Sequence, residues 1–207
     1  MKKTESTAKR RGRPRSFDRE VGLDSAIKVF WAKGYEATSV DDLTQQMGIK
    51  PPSLYAAFGN KHELFMKGLD RYAETIGHVP TDAFLKEPEL RQAVKALFDK
   101  TIQCATTPQR PRGCLLVSVA TEMAASDPAV QKWMSRAYAA RVALVAERFE
   151  TEQEAGRVPQ KPDATSFAKM VVSITHGLVA RARIGASRKE IAELADHYLD
   201  LLVPPSA

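Results

Sequence analysis

"GIKPPSLYAAFGNKHELF", residues 48–65, sets about eight helix-forming residues between a pair of prolines and a Gly-Asn turn, with another apolar run directly behind. A helix that short is marginal in isolation, because nucleation is costly and few hydrogen bonds offset it. Its neighbours must supply the packing that holds it, and its function must require it at a fixed angle.

The flanking segments read at helical period. In "FDREVGLDSAIKVFWAKG" the spacing places Val21, Ile27, Phe30 and Trp31 near one face, with Asp18 and Glu20 in the first turn and Gly34 as a stop. In "ATSVDDLTQQMG", Thr38 or Ser39 can cap, Asp41 and Asp42 suit the positive helix end, and Val40, Leu43 and Met47 form the stripe before Gly48. Pro51 and Pro52 then stand where a first turn has no use for N–H groups. "NKHELFMKGLDRYAETI" restarts with Asn60 as cap and Glu63 at the capping-box spacing.

Short helices near 18–33, 39–47 and 51–58, joined by tight turns, fit a helix-turn-helix. In that motif the last helix offers its N-terminal end to a DNA major groove. Leu54 and Phe58, four apart, anchor its inner side and leave Lys50, Pro51, Pro52, Ser53 and Tyr55 at the front or outer side. Lys50 can reach a phosphate or guanine, Ser53 a phosphate or base edge, and Tyr55 a phosphate. Thr38 and Lys61 lie at helix starts, where backbone N–H groups also favour phosphate.

Residues 17–66, and above all Phe30 with "KGYEATSVDDLTQQMGIKPPSLYAAFGNKHELF", closely resemble the DNA-binding domain of the TetR family of transcriptional repressors. The resemblance covers about a quarter of the chain and implies a homodimer, one helix-turn-helix per subunit, and a larger helical C-terminal domain with an inducer pocket and the dimer interface. It also implies DNA contacts from Thr38, Ser39, Lys50, Pro52, Ser53, Tyr55 and Lys61. Two departures bar transfer of a base preference: the Pro51–Pro52 pair replaces the commoner basic or small polar residues, and His62 stands where an acid is frequent.

The rest of the chain also reads as helices, with neither a useful alternating strand pattern nor a fixed repeat, so the expected fold is all-α. The expected division is a basic disordered arm over 1–16, the DNA-binding domain over 17–77 and an effector-binding and dimerisation domain over 78–207.

The net charge of +6 lies entirely in the arm, where seven basic residues face one acid, 7 − 1 = +6, leaving residues 17–207 with 24 basic and 24 acidic groups. A cationic arm of this kind reads as nucleic-acid or anionic-surface binding. Its "RRGRPRS", with Arg11, Arg13 and Arg15 around Gly-Arg-Pro, resembles an AT-hook, which lies in a narrow A·T minor groove; the alternative is a solubilising tail with loose phosphate attraction.

No stretch is apolar enough to span a membrane, and the N-terminus has no apolar core of a secretory signal. Two cysteines give no disulfide framework, so the expected compartment is the cytoplasm.

In the C-terminal part, Phe167, Met170, Val171, Ile174 and Leu178 form one stripe, and Ile191, Leu194, Ala195, Tyr198 and Leu202 another. Paired across a two-fold axis they would make the four-helix interface that a palindromic operator requires, while core packing within one chain is the alternative reading.

"RPRGCLLVSVATEM" is the candidate sensor: Cys114 follows Gly113 near a helix start, with Arg110 and Arg112 close enough to favour thiolate. The Gly-Cys-Leu element is also similar to a subset of TetR-type regulators, some of which respond to reactive compounds. The alternative is a small buried hydrophobe. Cys104, on the preceding helix, can approach Cys114 across the loop. None of His62, His78, His176 and His197 has ligand spacing with a cysteine, so neither metal nor cofactor is expected. His176 reads as a dimer contact before a pocket residue, and Met123, Trp133, Phe98 and Tyr138 as core residues able to line an apolar cavity.

The leading function is a DNA-binding repressor released by a small molecule or electrophile. A constitutive architectural DNA-binding protein is the competing class. An enzyme is disfavoured by the absence of a phosphate loop, a Ser-His-Asp context or His-Glu-x-x-His.

Overall fold

The structure is a computed structural model and describes residues 17–204; the basic residues 1–16, with Arg11, Arg13 and Arg15, lie outside it. All regular structure among the described residues is helical. Helix α1 is Arg19–Lys33, α2 Val40–Met47, α3 Pro51–Phe58 and α4 Lys61–Tyr72, which runs into a wide π turn at Ala73–Gly77. Then come α5 (Val79–Lys86), α6 (Leu90–Thr106), a second π turn (Leu116–Ala120), α7 (Thr121–Met123), α8 (Pro128–Glu154), α9 (Ala164–Arg183) and α10 (Arg188–Leu202).

Local chemistry fixes the first four helices. Asp18 caps α1 by accepting from the Glu20 and Val21 N–H groups, and its carbonyl receives the Gly22 N–H at 3.0 Å. Of the two candidate caps of α2, Ser39 is the one used, in a reciprocal box with Asp42. Asn60 and Glu63 form the expected box at α4, with both bonds at 2.9 Å. Gly48, at φ +67, closes α2 in the left-handed conformation that costs glycine least.

Leu54 and Phe58 are buried beneath α3, with Phe30, Trp31, Leu43, Leu64 and Phe65 in the same cluster. At about 1.5–3 kcal/mol per large apolar side chain, those two residues supply what eight residues of backbone cannot. The expected α1 face holds for Ile27, Phe30 and Trp31, but Val21 is 60% exposed. It lies in the first turn, six residues before Ile27, where the stripe has already rotated off the core.

Two apolar clusters organise the chain. One joins α5, α6, α8, α9 and α10 around Phe84, Leu97, Phe98, Phe149 and Phe167. The other contains the helix-turn-helix but also takes Leu115, Val119, Ala120, Met123, Val130 and Trp133 from the C-terminal part. The head thus shares its core with the body. Two polar ties reinforce the joint: Trp133 Nε1 donates to Asp70 at 2.7 Å, and His62 Nε2 lies 2.7 Å from Asp127 Oδ2. Asp127 Oδ1 meanwhile caps α8 through Ala129 and Val130.

The stripes expected to pair across a dimer axis divide. Phe167, Val171, Leu178, Ile191 and Ala195 are buried within this one chain, whereas Met170 is 40% exposed. Ile174, Leu194, Tyr198 and Leu202 are only partly covered. No helix among the described residues is long and apolar enough to cross a membrane.

Candidate nucleic-acid interface and effector cavity

The first turn of α3, Pro51–Leu54, carries no spare backbone donor. Pro51 and Pro52 have no N–H, and the Ser53 and Leu54 N–H groups both return to the Lys50 carbonyl, at 2.9 and 3.2 Å. Anything this turn reads it must therefore read with side chains. Lys50, Pro51, Pro52, Ser53 and Tyr55 are all exposed, Tyr55 by 50%, on the side opposite buried Leu54 and Phe58. The two prolines fix the first turn, so a cation, two rings, a hydroxyl and a phenol are presented from a stiff support.

The back of α3 is clamped. Phe17 meets Phe58 edge-on at 5.8 Å, Arg19 lies over the same ring and donates to the Ala57 carbonyl, and Lys67 Nζ donates to the Phe58 carbonyl at 2.7 Å. Gly59 follows at φ +84, and a Cβ there would fall 1.6 Å from Glu63 Oε2. The turn between α3 and α4 therefore needs glycine both for its backbone and for the carboxylate beside it.

Ser39 is exposed and, although its oxygen accepts the Asp42 N–H at 3.0 Å, its own O–H remains to donate. Thr38 differs from expectation. It is buried, and its hydroxyl donates to the Gly34 carbonyl at 2.6 Å while its N–H goes to the Tyr35 carbonyl, so neither donor is offered to phosphate. Lys61 is half-buried, with Nζ 4.3 Å from the centroid of the Tyr35 ring, a cation–π contact that steers it without neutralising it. Tyr35, which sequence reasoning passed over, is itself positioned by stacking on Phe30 and an edge contact to Phe65. Lys33 pairs with Asp42 at 2.5 Å, and this bond, with the Ser39 cap, holds the Asp42 carboxyl at about 2.

The second site is a cavity of about 50 Å3 where α4, the first π turn, α6, α8 and α9 meet the Gly113–Cys114 corner. Tyr72, Cys104, Cys114, Arg141, Thr175 and His176 supply its polar edge. The Tyr72 hydroxyl donates to Cys114 Sγ at 3.1 Å. Burial first, and then the neighbouring Cys114, hold the Tyr72 phenol well above its ordinary value. Burial likewise raises the Cys104 thiol, partly opposed by Arg110 and Lys100, and lowers the His176 imidazole with help from Arg141. The cavity therefore keeps a protonated phenol, one protonated thiol and a neutral imidazole around a single cation.

Gly113 makes the corner. Its φ is +90, its N–H donates to the Ala105 carbonyl at 2.9 Å, and a Cβ would come 2.9 Å from Ser118 Oγ and 3.2 Å from Arg183 Cβ. Arg141 Nη2 donates to the Gly77 carbonyl at 2.8 Å, fixing the end of the first π turn. The turn after Cys114 is itself wide, over Leu116–Ala120. π turns of this kind recur at functional sites.

Several sensor expectations are corrected. Cys104, Cys114 and His176 do share one cavity, and His176 lines it and faces Tyr138 at 6.2 Å between ring centroids. Met123 and Trp133 do not line it; they belong to the core between head and body, where the indole N–H is engaged by Asp70. Phe98 is core in the C-terminal cluster. Arg112, expected beside the thiol, instead donates to the Ala182 carbonyl at 2.9 Å and to that of Ala186, and Arg110 acts on Cys104.

Comparison with known proteins agrees with this architecture. Residues 23–66 match the family described as "Bacterial regulatory proteins, tetR family", and residues 91–198 match "Tetracyclin repressor-like, C-terminal domain". The HTH-type transcriptional repressor ComR of Escherichia coli K12 is 33% identical over 199 residues, covering 96% of this chain and 95% of its own. The repressor BdcR of the same organism is 33% identical over 185 residues, 89% of this chain and 88% of its own. A cysteine mutant of the regulator CifR, solved with 26-bp double-strand operator DNA, superposes with a TM-score of 0.82 at 33% identity, covering 90% of this chain and 98% of that one.

Proposed function

The chain belongs to the TetR family of DNA-binding transcriptional regulators, and from that premise we propose a homodimeric repressor that leaves a palindromic operator when a small electrophile reaches the Cys114 cavity. The observation that carries this reading is the Tyr72–Cys114 hydrogen bond. Tyr72 ends α4, its ring meets Trp31 of α1 edge-on at 5.4 Å, and its hydroxyl is held by the cavity's sulfur. One side chain thus belongs to both the core of the reading head and the wall of the cavity.

The size of the cavity selects for small effectors. About 50 Å3 is space for a few waters, well below the roughly 300–1,000 Å3 of a drug-sized site. An electrophile of a few heavy atoms would form a C–S bond to Cys114, and the thiol proton would pass to the atom receiving the displaced electron pair. The product sulfur is bulkier, and Tyr72 must move from it. That displacement acts on α4, whose other end holds Lys61 and the Gly59 turn beneath α3. The two α3 tips of a dimer must match successive major grooves about 34 Å apart. An effector favours a mismatched spacing only as far as it binds that state more tightly.

On DNA, Lys50, Pro51, Pro52, Ser53 and Tyr55 read or abut the groove, Ser39 and Lys61 hold phosphates, and the basic residues 1–16 add attraction through Arg11, Arg13 and Arg15. Met170, Leu194 and Tyr198, the incompletely covered part of the α9 and α10 stripes, face the second subunit. The Gly-Cys-Leu element, similar to that of a subset of TetR-type regulators, supports a thiol-responsive reading.

The test is release of a mapped operator under diamide, small aldehydes, copper and organic ligands, on wild type and on Cys114→Ser. Thiol-reactive compounds are expected to release wild type and leave Cys114→Ser bound. Equal release of both would overturn the covalent reading. A footprint confined to one palindrome and lost on adding effector excludes the constitutive architectural alternative.

A further inference from the structure

The surroundings of the Cys114 sulfur indicate which electrophile it takes, a question that rests on the thiol reading above. The hydrogen-bond partner of Sγ is the Tyr72 hydroxyl at 3.1 Å, and both side chains line the cavity. The nearby cations are engaged elsewhere, Arg112 by the Ala182 and Ala186 carbonyls and Arg141 Nη2 by that of Gly77. The group touching the sulfur is therefore a phenol. Burial, ahead of the neighbouring Cys114, keeps it protonated by holding its pKa well above the ordinary value.

A phenol so placed assists some reactions of a thiol and not others. A hydroxyl both donates and accepts and turns about its own C–O bond, so it can take the S–H proton while giving its own elsewhere. When a thiol adds to a carbonyl, the C=O electron pair ends on an oxygen one carbon removed from the sulfur. A hydroxyl within 3.1 Å of Sγ reaches that oxygen by rotation alone. When a thiol displaces a halide or opens a strained ring, the leaving atom departs in line, on the face of the carbon turned away from sulfur. The Tyr72 hydroxyl lies on the wrong side for that. Its position favours addition over displacement.

We propose that Tyr72 is the proton relay for reversible addition of a small aldehyde to Cys114. The Sγ–C bond forms as the C=O π bond breaks. The S–H proton moves to the Tyr72 oxygen, and the phenol proton moves to the carbonyl oxygen, giving a hemithioacetal. Nothing is oxidised, no group is expelled, and Tyr72 ends as it began. A cavity of about 50 Å3 takes an aldehyde of roughly two to four heavy atoms. Cys104 lines the same cavity without the Tyr72 bond and so lacks the relay.

In the test, full-length protein is mixed with 13C-labelled acetaldehyde, and exchange between the free aldehyde and the hemithioacetal carbon signal gives the rate of addition. Wild type, Tyr72→Phe and Cys114→Ser are compared; phenylalanine keeps the ring that meets Trp31 edge-on. Methyl methanethiosulfonate, whose sulfinate leaves as an anion and needs no proton, reports the reactivity of Cys114 itself by peptide mass.

A hemithioacetal is expected in wild type, absent from Cys114→Ser and lost when the aldehyde is removed. In Tyr72→Phe addition should slow by about a hundredfold or more, as loss of a positioned proton donor predicts, with thiosulfonate capping unchanged. Equal aldehyde rates in wild type and Tyr72→Phe would overturn the relay. So would an equal slowing of both reagents, the mark of a tyrosine that only shapes the cavity. If wild-type Cys114 takes the thiosulfonate but no aldehyde, the proposal fails and the thiol reading stands; if it takes neither, both fail.

Discussion

Adjacent residues on α3 should fail in opposite ways. Leu54 is fully buried under the helix, while Tyr55 is 50% exposed beside it. Truncating a buried leucine costs about 2–5 kcal/mol, depending on how far the site collapses. For a chain of this length each kcal/mol moves Tm by about 2–4 °C, so Leu54→Ala should melt about 4–20 °C lower. Tyr55→Ala removes no core, and surface substitutions usually stay within about 0.5 kcal/mol. If the phenol donates to a phosphate, each subunit loses a bond to a charged group, about 1.5–3 kcal/mol. Two subunits then lose about 3 kcal/mol or more, at least roughly a hundredfold in operator affinity. Thermal melts and operator titrations at one fixed salt concentration separate the two variants. A Tyr55→Ala protein that melts normally and binds the operator at full strength would refute the placement of α3 on DNA. A Leu54→Ala protein with unchanged Tm would refute the account of what holds the helix.

Three further outcomes are expected. Deleting residues 1–15 should weaken operator binding and flatten its salt dependence, by about 0.9 in log–log slope for each phosphate the arm no longer neutralises; an unchanged slope would contradict a role for the arm. Gly59→Ala forces a side chain into a backbone conformation that is nearly glycine-only and onto Glu63 Oε2, so it should lower stability by about 1–3 kcal/mol, read in denaturant melts. His176 is held below its ordinary 6.5 in the folded chain by burial and by Arg141. Protonation therefore favours the unfolded state: its contribution is complete above pH 6.5 and lost as pH falls below it. Tm profiles from pH 7.5 to 5 should fall less steeply for His176→Gln than for wild type.

The reading head was legible in the sequence because its determinants are local. Asn60 and Glu63, Leu54 and Phe58, and the Gly48 stop all lie within a few residues of the partners that give them meaning. The errors arise where local pattern and tertiary position part. Thr38 and Ser39 are equally good caps in sequence, yet only the fold decides that Ser39 caps α2 while the Thr38 hydroxyl turns back to Gly34. Arg112 stands two residues from Cys114 in the chain, but a carbonyl on α9 claims it 70 positions away. The cavity itself joins Tyr72, Cys104, Arg141 and His176 from four helices, and no spacing rule connects them. Tyr72 reads in sequence only as the last member of the α4 stripe that contains Leu64, Phe65 and Leu69.

Phe17, where the described chain begins, rests edge-on against Phe58 and within reach of Gly22. The basic segment thus joins the described chain at the back of α3. Any displacement of α3 is therefore shared with Phe17, the residue from which the basic segment departs, so the DNA contacts proposed for α3 and for that segment would be gained or lost together.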